Sequence, residues 1–148
     1  MRSILCLVGV IASGCLSPLE PDVGEPLRER CVDQDSDPDT DVEFGEYILR
    51  DIIFADRGCN CHLPSEPTHI GIELAGLDLS SYEKLRKGGA NTGASIVVPG
   101  SPCTSLLVQK LQEGPPFGSR MPANGPPFLT DEQLQLVRDW IAEGARDD

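Results

Sequence analysis

The chemically dense part of the chain is the run Cys59-Asn60-Cys61-His62, which places two thiols and an imidazole side by side. A cysteine followed at once by a histidine is the end of the c-type haem attachment motif, Cys-x-x-Cys-His. In that motif the thiols add to haem vinyl groups, and the adjacent imidazole binds the iron as its proximal ligand. The run therefore indicates haem c as cofactor, with Cys59 and Cys61 as candidate attachment residues and His62 as a metal ligand.

Met121 is the candidate for the second iron ligand. Residues 114–128 around it are rich in proline and glycine, so this stretch is expected to be a shaped loop. A lone methionine often fills a gap in a core, but a proline-framed loop favours the ligand role. A methionine in that position raises the reduction potential of the iron. His69 follows a polar, proline-containing run and is expected to be an exposed loop residue, with the sixth iron ligand as its alternative role.

Helices are predicted where capping residues precede apolar residues at helical spacing. Thr40 and Glu43 form a capping box, and Phe44, Ile48 and Ile52 recur every four residues after it, which predicts a helix over residues 43–57. The other predicted starts are Ser80-Ser81-Tyr82-Glu83, Ser101-Pro102 and Thr130-Asp131-Glu132-Gln133. No segment alternates as a strand does. The sequence predicts an all-α fold of three to four short helices joined by long Pro/Gly-rich loops.

The amino-terminal residues 1–14 resemble a bacterial lipoprotein signal peptide. The apolar run of residues 4–12 is shorter than the roughly 20 residues that span a bilayer. It ends in Ala12-Ser13-Gly14-Cys15, so cleavage before Cys15 and lipidation of its thiol are expected. Ordinary cleavage that leaves Cys15 as a thiol is the alternative. The mature protein is expected in the cell envelope, on the periplasmic side or cell surface, anchored to the membrane by its lipid.

Residues 15–41 are predicted to form an acidic flexible tether, followed by one domain over residues 42–148. The tether contains alternating aspartates at positions 33, 35, 37, 39 and 41. Alternating carboxylates can wrap Ca²⁺, but this stretch lacks the glycine and the terminal glutamate of a calcium-binding loop. A solvated, self-repelling linker is therefore the preferred interpretation.

Charge and composition argue against some classes of function. Asp plus Glu number 24 against 12 Lys plus Arg, a net charge of −12, which argues against nucleic-acid binding. The stretch of residues 84–120 is nevertheless net basic, so its cations are candidates for pairing with haem propionates or steering an acidic redox partner. The alternative for those cations is ordinary solvated surface. A substrate-converting enzyme is not expected, since no Ser-His-Asp arrangement suggests itself and a His/Met-ligated iron has no open position.

Residues 42 to about 145 resemble a single-haem c-type cytochrome domain, most closely the planctomycete-type group. The motifs that carry the resemblance are Cys61-His62, Gly76-Leu77-Asp78-Leu79, Val98-Pro99-Gly100-Ser101-Pro102, Arg120-Met121-Pro122, Leu129-Thr130-Asp131-Glu132 and Trp140-Ile141. The resemblance implies a cytochrome c-like fold, with the first and last helices crossed and the haem in a loop-lined crevice. In that fold Phe44 and Ile48 would meet Leu136 and Trp140.

The chain departs from the family at the first attachment cysteine, because Gly58 stands where that cysteine would fall. On a helical turn, cysteines two residues apart diverge by about 200°. The preferred interpretation is one thioether from Cys61, with Cys59 in a disulfide to Cys103. Two other pairings remain open: two thioethers with a Cys31–Cys103 disulfide, or no haem and two disulfides.

The sequence as a whole predicts an exported, lipid-anchored monohaem cytochrome that carries one electron to or from a redox partner protein in the envelope. One alternative is a haem-free, disulfide-stapled domain of cytochrome-like fold that binds a protein or envelope partner. Another is a zinc site made of Cys59, Cys61 and His62 with either His69 or Cys103.

Overall fold

The part of the chain that the computed structural model describes, residues 31–54 and 59–148, consists of short helices, 3₁₀ turns and loops, with no strand. This confirms the all-α expectation. The helices, named here first to fifth, are Phe44–Ile53, Ile70–Ala75, Tyr82–Lys87, Leu106–Leu111 and Asp131–Ala142. The 3₁₀ turns are Asp33–Asp35, Asn60–His62, Gly93–Ile96 and Pro102–Thr104.

The first helix has the wide hydrogen bonding of a π-helix. Its last bond runs from the amide of Phe54 to the carbonyl of Leu49, five residues back, at 2.9 Å. The apolar spacing of four residues suits this wider turn, because Phe44, Ile48 and Ile52 are all buried. The predicted end of this helix at residues 57–58 lies outside the described residues.

The start of the first helix is capped from a distant part of the chain. The predicted Thr40–Glu43 capping box is wrong, since the helix begins only after Glu43, whose side chain makes no capping bond. The amide of Phe44 donates to Asp148 Oδ1 at 3.1 Å, and the amide of Gly45 donates to the Asp148 carbonyl at 3.1 Å. A tertiary contact has therefore replaced the local cap.

The other helix starts follow local sequence more closely. The box at Thr130 is confirmed, because Thr130 Oγ1 accepts from the Gln133 amide at 3.2 Å and Gln133 Oε1 accepts from the Thr130 amide at 3.0 Å. The third helix is capped by Ser81, whose hydroxyl accepts from the Lys84 amide at 3.4 Å, and so starts one residue later than a Ser80 cap requires.

Two helical segments differ from the sequence predictions. Ser101-Pro102 opens the 3₁₀ turn Pro102–Thr104, and the fourth helix itself begins only at Leu106. The second helix, Ile70–Ala75, was not predicted, because its residues show no capping signal or sustained apolar period before Gly76 ends it at a φ of 63°.

The core brings the first and fifth helices together around three aromatic rings. The Phe44 ring lies 5.4 Å from the Trp140 ring and 5.4 Å from the Tyr82 ring, measured between centroids. Trp140 is fully buried, and its indole N–H donates to the carbonyl of Arg146 at 2.9 Å. The expected contact between Phe44 and Trp140 is confirmed.

Residues 31–41, which the sequence assigns to the tether, lie against the domain. Cys31 is joined to Cys103 by a disulfide, and the amide of Asp37 donates to Asp139 Oδ1 at 2.8 Å. Gln135 Nε2 donates to the carbonyl of Asp35 at 2.8 Å. The predicted signal peptide and Cys15 lie outside the described residues, and within the described part no helix is long and apolar enough to cross a membrane.

Candidate functional site

A crevice between the 3₁₀ turn Asn60–His62 and the Met121 loop is the candidate site. It consists of two cavities, of about 260 Å³ and about 170 Å³. Both are lined by Cys59, His62, Leu74, Ala75 and Met121, so they adjoin at these residues and are together called the crevice. The wall of the larger cavity also contains the apolar side chains of Leu77, Leu79, Ile96, Leu107 and Leu111. Residues from far apart in the sequence thus meet at one largely apolar surface.

His62 is held at the crevice by the segment around Leu77. The imidazole Nδ1 lies 3.0 Å from the Leu77 carbonyl, which can only accept, so Nδ1 carries the proton of this bond. The His62 carbonyl accepts from the amide of Leu79 at 3.0 Å, which fixes the backbone beside the ring. With Nδ1 protonated, the neutral imidazole has its lone pair on Nε2, the atom available to a metal.

Gly71 allows the second helix to approach the imidazole closely. A Cβ atom at this position would lie 2.7 Å from His62 Cε1 and 2.7 Å from the carbonyl oxygen of Cys61. Those atoms belong to a ring and to backbone that are both held in place, so a side chain at Gly71 would force the second helix away from His62. The glycine therefore sets the width of the smaller cavity.

Met121 reaches the crevice from a loop attached to the fourth helix. Its amide donates to the carbonyl of Lys110 at 2.8 Å, and Arg120 Nε donates to the carbonyl of Leu111 at 2.8 Å. The Arg120 guanidinium also lies over the Phe128 ring, at 4.1 Å from the centroid. These contacts satisfy carbonyls at the carboxyl end of the helix and hold Met121 half-buried against the core.

The two cysteines of the Cys-x-Cys run are both free thiols and both line the smaller cavity. Cys59 is buried and also lines the larger cavity, whereas Cys61 is half-buried. Burial, and after it the nearby Cys61, raises the pKa of the Cys59 thiol to about 11. Cys59 precedes the 3₁₀ turn that contains Cys61, so the divergence expected for a regular helical turn does not apply.

The predicted Cys59–Cys103 disulfide is wrong. Cys103 lies in the turn Pro102–Thr104 and is bonded to Cys31, with their Cα atoms 5.3 Å apart. The Cys103 amide also donates to Asp33 Oδ1 at 2.8 Å. Of the cysteine pairings left open by the sequence, the arrangement agrees with the one that combines this disulfide with two thiols at the crevice.

Metal sites without haem find little support in the geometry. Cys103 is oxidised and so cannot serve as a fourth zinc ligand. Among the described residues, the one group of three ligand atoms within 4.8 Å of one another is Cys31, Asp33 and Cys103, where both sulfurs are in the disulfide. The alternating aspartates form no such group with one another.

His69 is the residue that precedes the second helix, and it is not among the residues that line the crevice. Its Nδ1 is 2.9 Å from the carbonyl of Glu66, and its Nε2 is 3.4 Å from Glu73 Oε1. It lines neither of the two cavities described above. The alternative role as an iron ligand at this crevice is therefore not supported, and its side chain is 42% exposed, close to the expectation.

Most cations of the basic stretch are occupied by contacts within the domain. Lys84 pairs with Asp78 at 2.8 Å, and Arg86 Nη1 donates to the carbonyl of Val97 at 3.1 Å. Arg120 and Lys110 hold the Met121 loop. These contacts connect segments of the domain to one another. Pairing of the same cations with haem propionates, or steering of a redox partner, remains a prediction.

Sequence reasoning found His62 and Met121 but missed the groups that position them. The Leu77 carbonyl and Gly71 act through backbone, and their roles depend on a turn that brings distant segments together. The run Gly76-Leu77-Asp78-Leu79 carries part of the family resemblance. It was the sequence signal that pointed to the segment whose Leu77 carbonyl binds His62.

Comparison with known proteins gives no relative, since no family model, curated protein or solved structure matches the chain.

Proposed function

We propose that this chain is an exported, lipid-anchored monohaem c-type cytochrome that acts as a one-electron carrier in the cell envelope. The observation that carries the proposal is the crevice itself: His62 and Met121, distant in sequence, line one apolar cavity beside two free thiols.

The residues present are suited to haem. When bound, haem supplies an iron that changes its charge by one electron. The Leu77 carbonyl orients the His62 ring and increases its basicity, as carbonyls next to metal-bound imidazoles do. Met121 offers a thioether, which favours the reduced iron and raises the potential. Cys59 and Cys61 are the proposed attachment thiols, and most of the crevice wall around them is apolar.

The experiment that tests the proposal is a visible spectrum of the protein made with haem-attachment machinery, before and after acid–acetone extraction. Colour that resists extraction is expected from the wild type. His62→Ala is expected to lose the low-spin spectrum, because the proximal ligand is gone. Met121→Ala is expected to keep the covalent colour with a lower reduction potential.

His69→Ala is the matched control, since it removes the other histidine from a place outside the crevice. It is expected to leave the spectrum and potential of the wild type. A colourless wild type would overturn the proposal. For a coloured wild type, the position of the pyridine haemochrome band gives the number of thioether bonds, because a remaining vinyl group shifts the band to the red.

A second candidate function is a haem-free domain that binds a protein partner through the rim of the crevice. The observation that favours it is the exposure of apolar side chains there, with Leu74 79% and Phe117 39% exposed. This candidate predicts a colourless protein that melts cooperatively without cofactor. The carrier proposal predicts instead that the haem-free chain is poorly packed around the crevice.

A further inference from the structure

Lys110 makes an unusual set of contacts at the edge of the crevice. It lies in the fourth helix and lines the larger cavity. Its ammonium donates to the carbonyl of Phe117 at 2.6 Å and to the carbonyl of Ser119 at 2.6 Å. It also lies over the Phe117 ring, 4.8 Å from the centroid. One side chain thus binds two points of the loop that leads to Met121.

The backbone of the same residue binds the loop a third time. The carbonyl of Lys110 accepts from the amide of Met121 at 2.8 Å. Residues 117, 119 and 121 are therefore all attached to Lys110, and the last of them is the proposed iron ligand. The side-chain bonds fix the approach of the loop, while the backbone bond fixes the position of Met121 itself.

A lysine is well suited to this task. Its ammonium carries three donor hydrogens and no acceptor, so it can serve two carbonyls that point to one spot. Bonds from a charged donor are shorter and stronger than neutral ones. The Lys110 side chain is half-buried, and this burial lowers its pKa. Without this donor, the two carbonyls would need water or another partner, and the loop would lose its fixed path.

We propose that Lys110 is the positioning residue for Met121: it holds the loop of residues 117–121 so that the thioether stays at the crevice and on the iron. This inference rests on the proposed function. It adds a residue whose contacts to Met121 run through the backbone of the loop.

The test compares Lys110→Leu, Lys110→Arg and Lys87→Leu in the haem-loaded protein. The readouts are the near-infrared absorption of a thioether bound to ferric iron and the reduction potential. Lys110→Leu offers neither a donor nor a new thioether, so the absorption should be lost and the potential should shift toward that of Met121→Ala. Lys110→Arg retains donors and should restore both. Lys87→Leu removes an exposed lysine of the third helix and should change neither.

An unchanged absorption and potential in Lys110→Leu would overturn the inference. If that variant does not fold, Lys110→Ala replaces it, since it also lacks a side-chain donor and should lose the absorption, and retention there would overturn the inference equally. A wild type with covalent colour but no thioether absorption would refute the role of Lys110 and of Met121 while leaving covalent haem in place. A colourless wild type would refute the proposed function as well.

Discussion

Replacing Cys31 and Cys103 together by serine should destabilise the protein substantially. The disulfide joins residues that are 72 apart in sequence, so it removes much of the freedom of the unfolded chain. The chain-entropy relation for a loop of this length gives roughly 4 kcal/mol at 25 °C. The hydrogen bond from the Cys103 amide to Asp33 depends on the same junction and should weaken with it.

The measurement is guanidinium denaturation of the wild type and the double variant, with and without reductant. Reduced wild type should unfold at the same midpoint as the double variant, and the double variant should not respond to reductant. Haem attachment should be unaffected, because neither cysteine lines the crevice. A loss below about 1 kcal/mol, the size of an ordinary substitution, would refute the reasoning that this link constrains the unfolded chain.

Three further outcomes are expected from denaturation measurements. Trp140→Ala should cost about 3–5 kcal/mol, because the side chain is fully buried between the helices; a smaller loss would mean that the core collapses around the gap. Thr130→Ala should cost about 1 kcal/mol by removing the cap of the fifth helix, and Thr130→Ser should recover most of it. Burial raises the pKa of Glu143 despite a bond from the Val42 amide and the charge of Arg146. The folded state therefore binds this proton more tightly, so the stability of wild type relative to Glu143→Gln should fall as pH rises through the raised pKa; a flat difference would contradict the shift.

Local signals predicted the structure where local interactions decide it. The fifth helix begins at Thr130 as expected, because both halves of its capping box lie within four residues. The box at Thr40 has the same pattern, with Glu43 where the other has Gln133, but does not form. At the start of the first helix the amides donate to Asp148 instead, and no local sequence pattern indicates a partner so distant in sequence.

The sequence predicted the candidate iron ligands of the site but not the groups that hold them in place. His62 and Met121 are conspicuous by residue type, and both line the crevice. The pairing of Cys103 with Cys31 depended on where residues 31–41 lie, and a sequence rich in aspartate and proline suggested only a tether there. The role of Lys110 was hidden for a different reason, since a basic residue on a helix is usually solvated and its carbonyl partners exist only once the loop has folded.

The binding of Phe44 and Gly45 by Asp148 has a consequence for the order of events during synthesis. A polypeptide emerges amino end first, from the ribosome or from a translocation pore. The start of the first helix therefore waits, uncapped, until the segment that contains Asp148 has also emerged. The Phe44 ring waits likewise for Trp140. Packing of the first helix is thus delayed until the fifth helix and the segment after it have emerged.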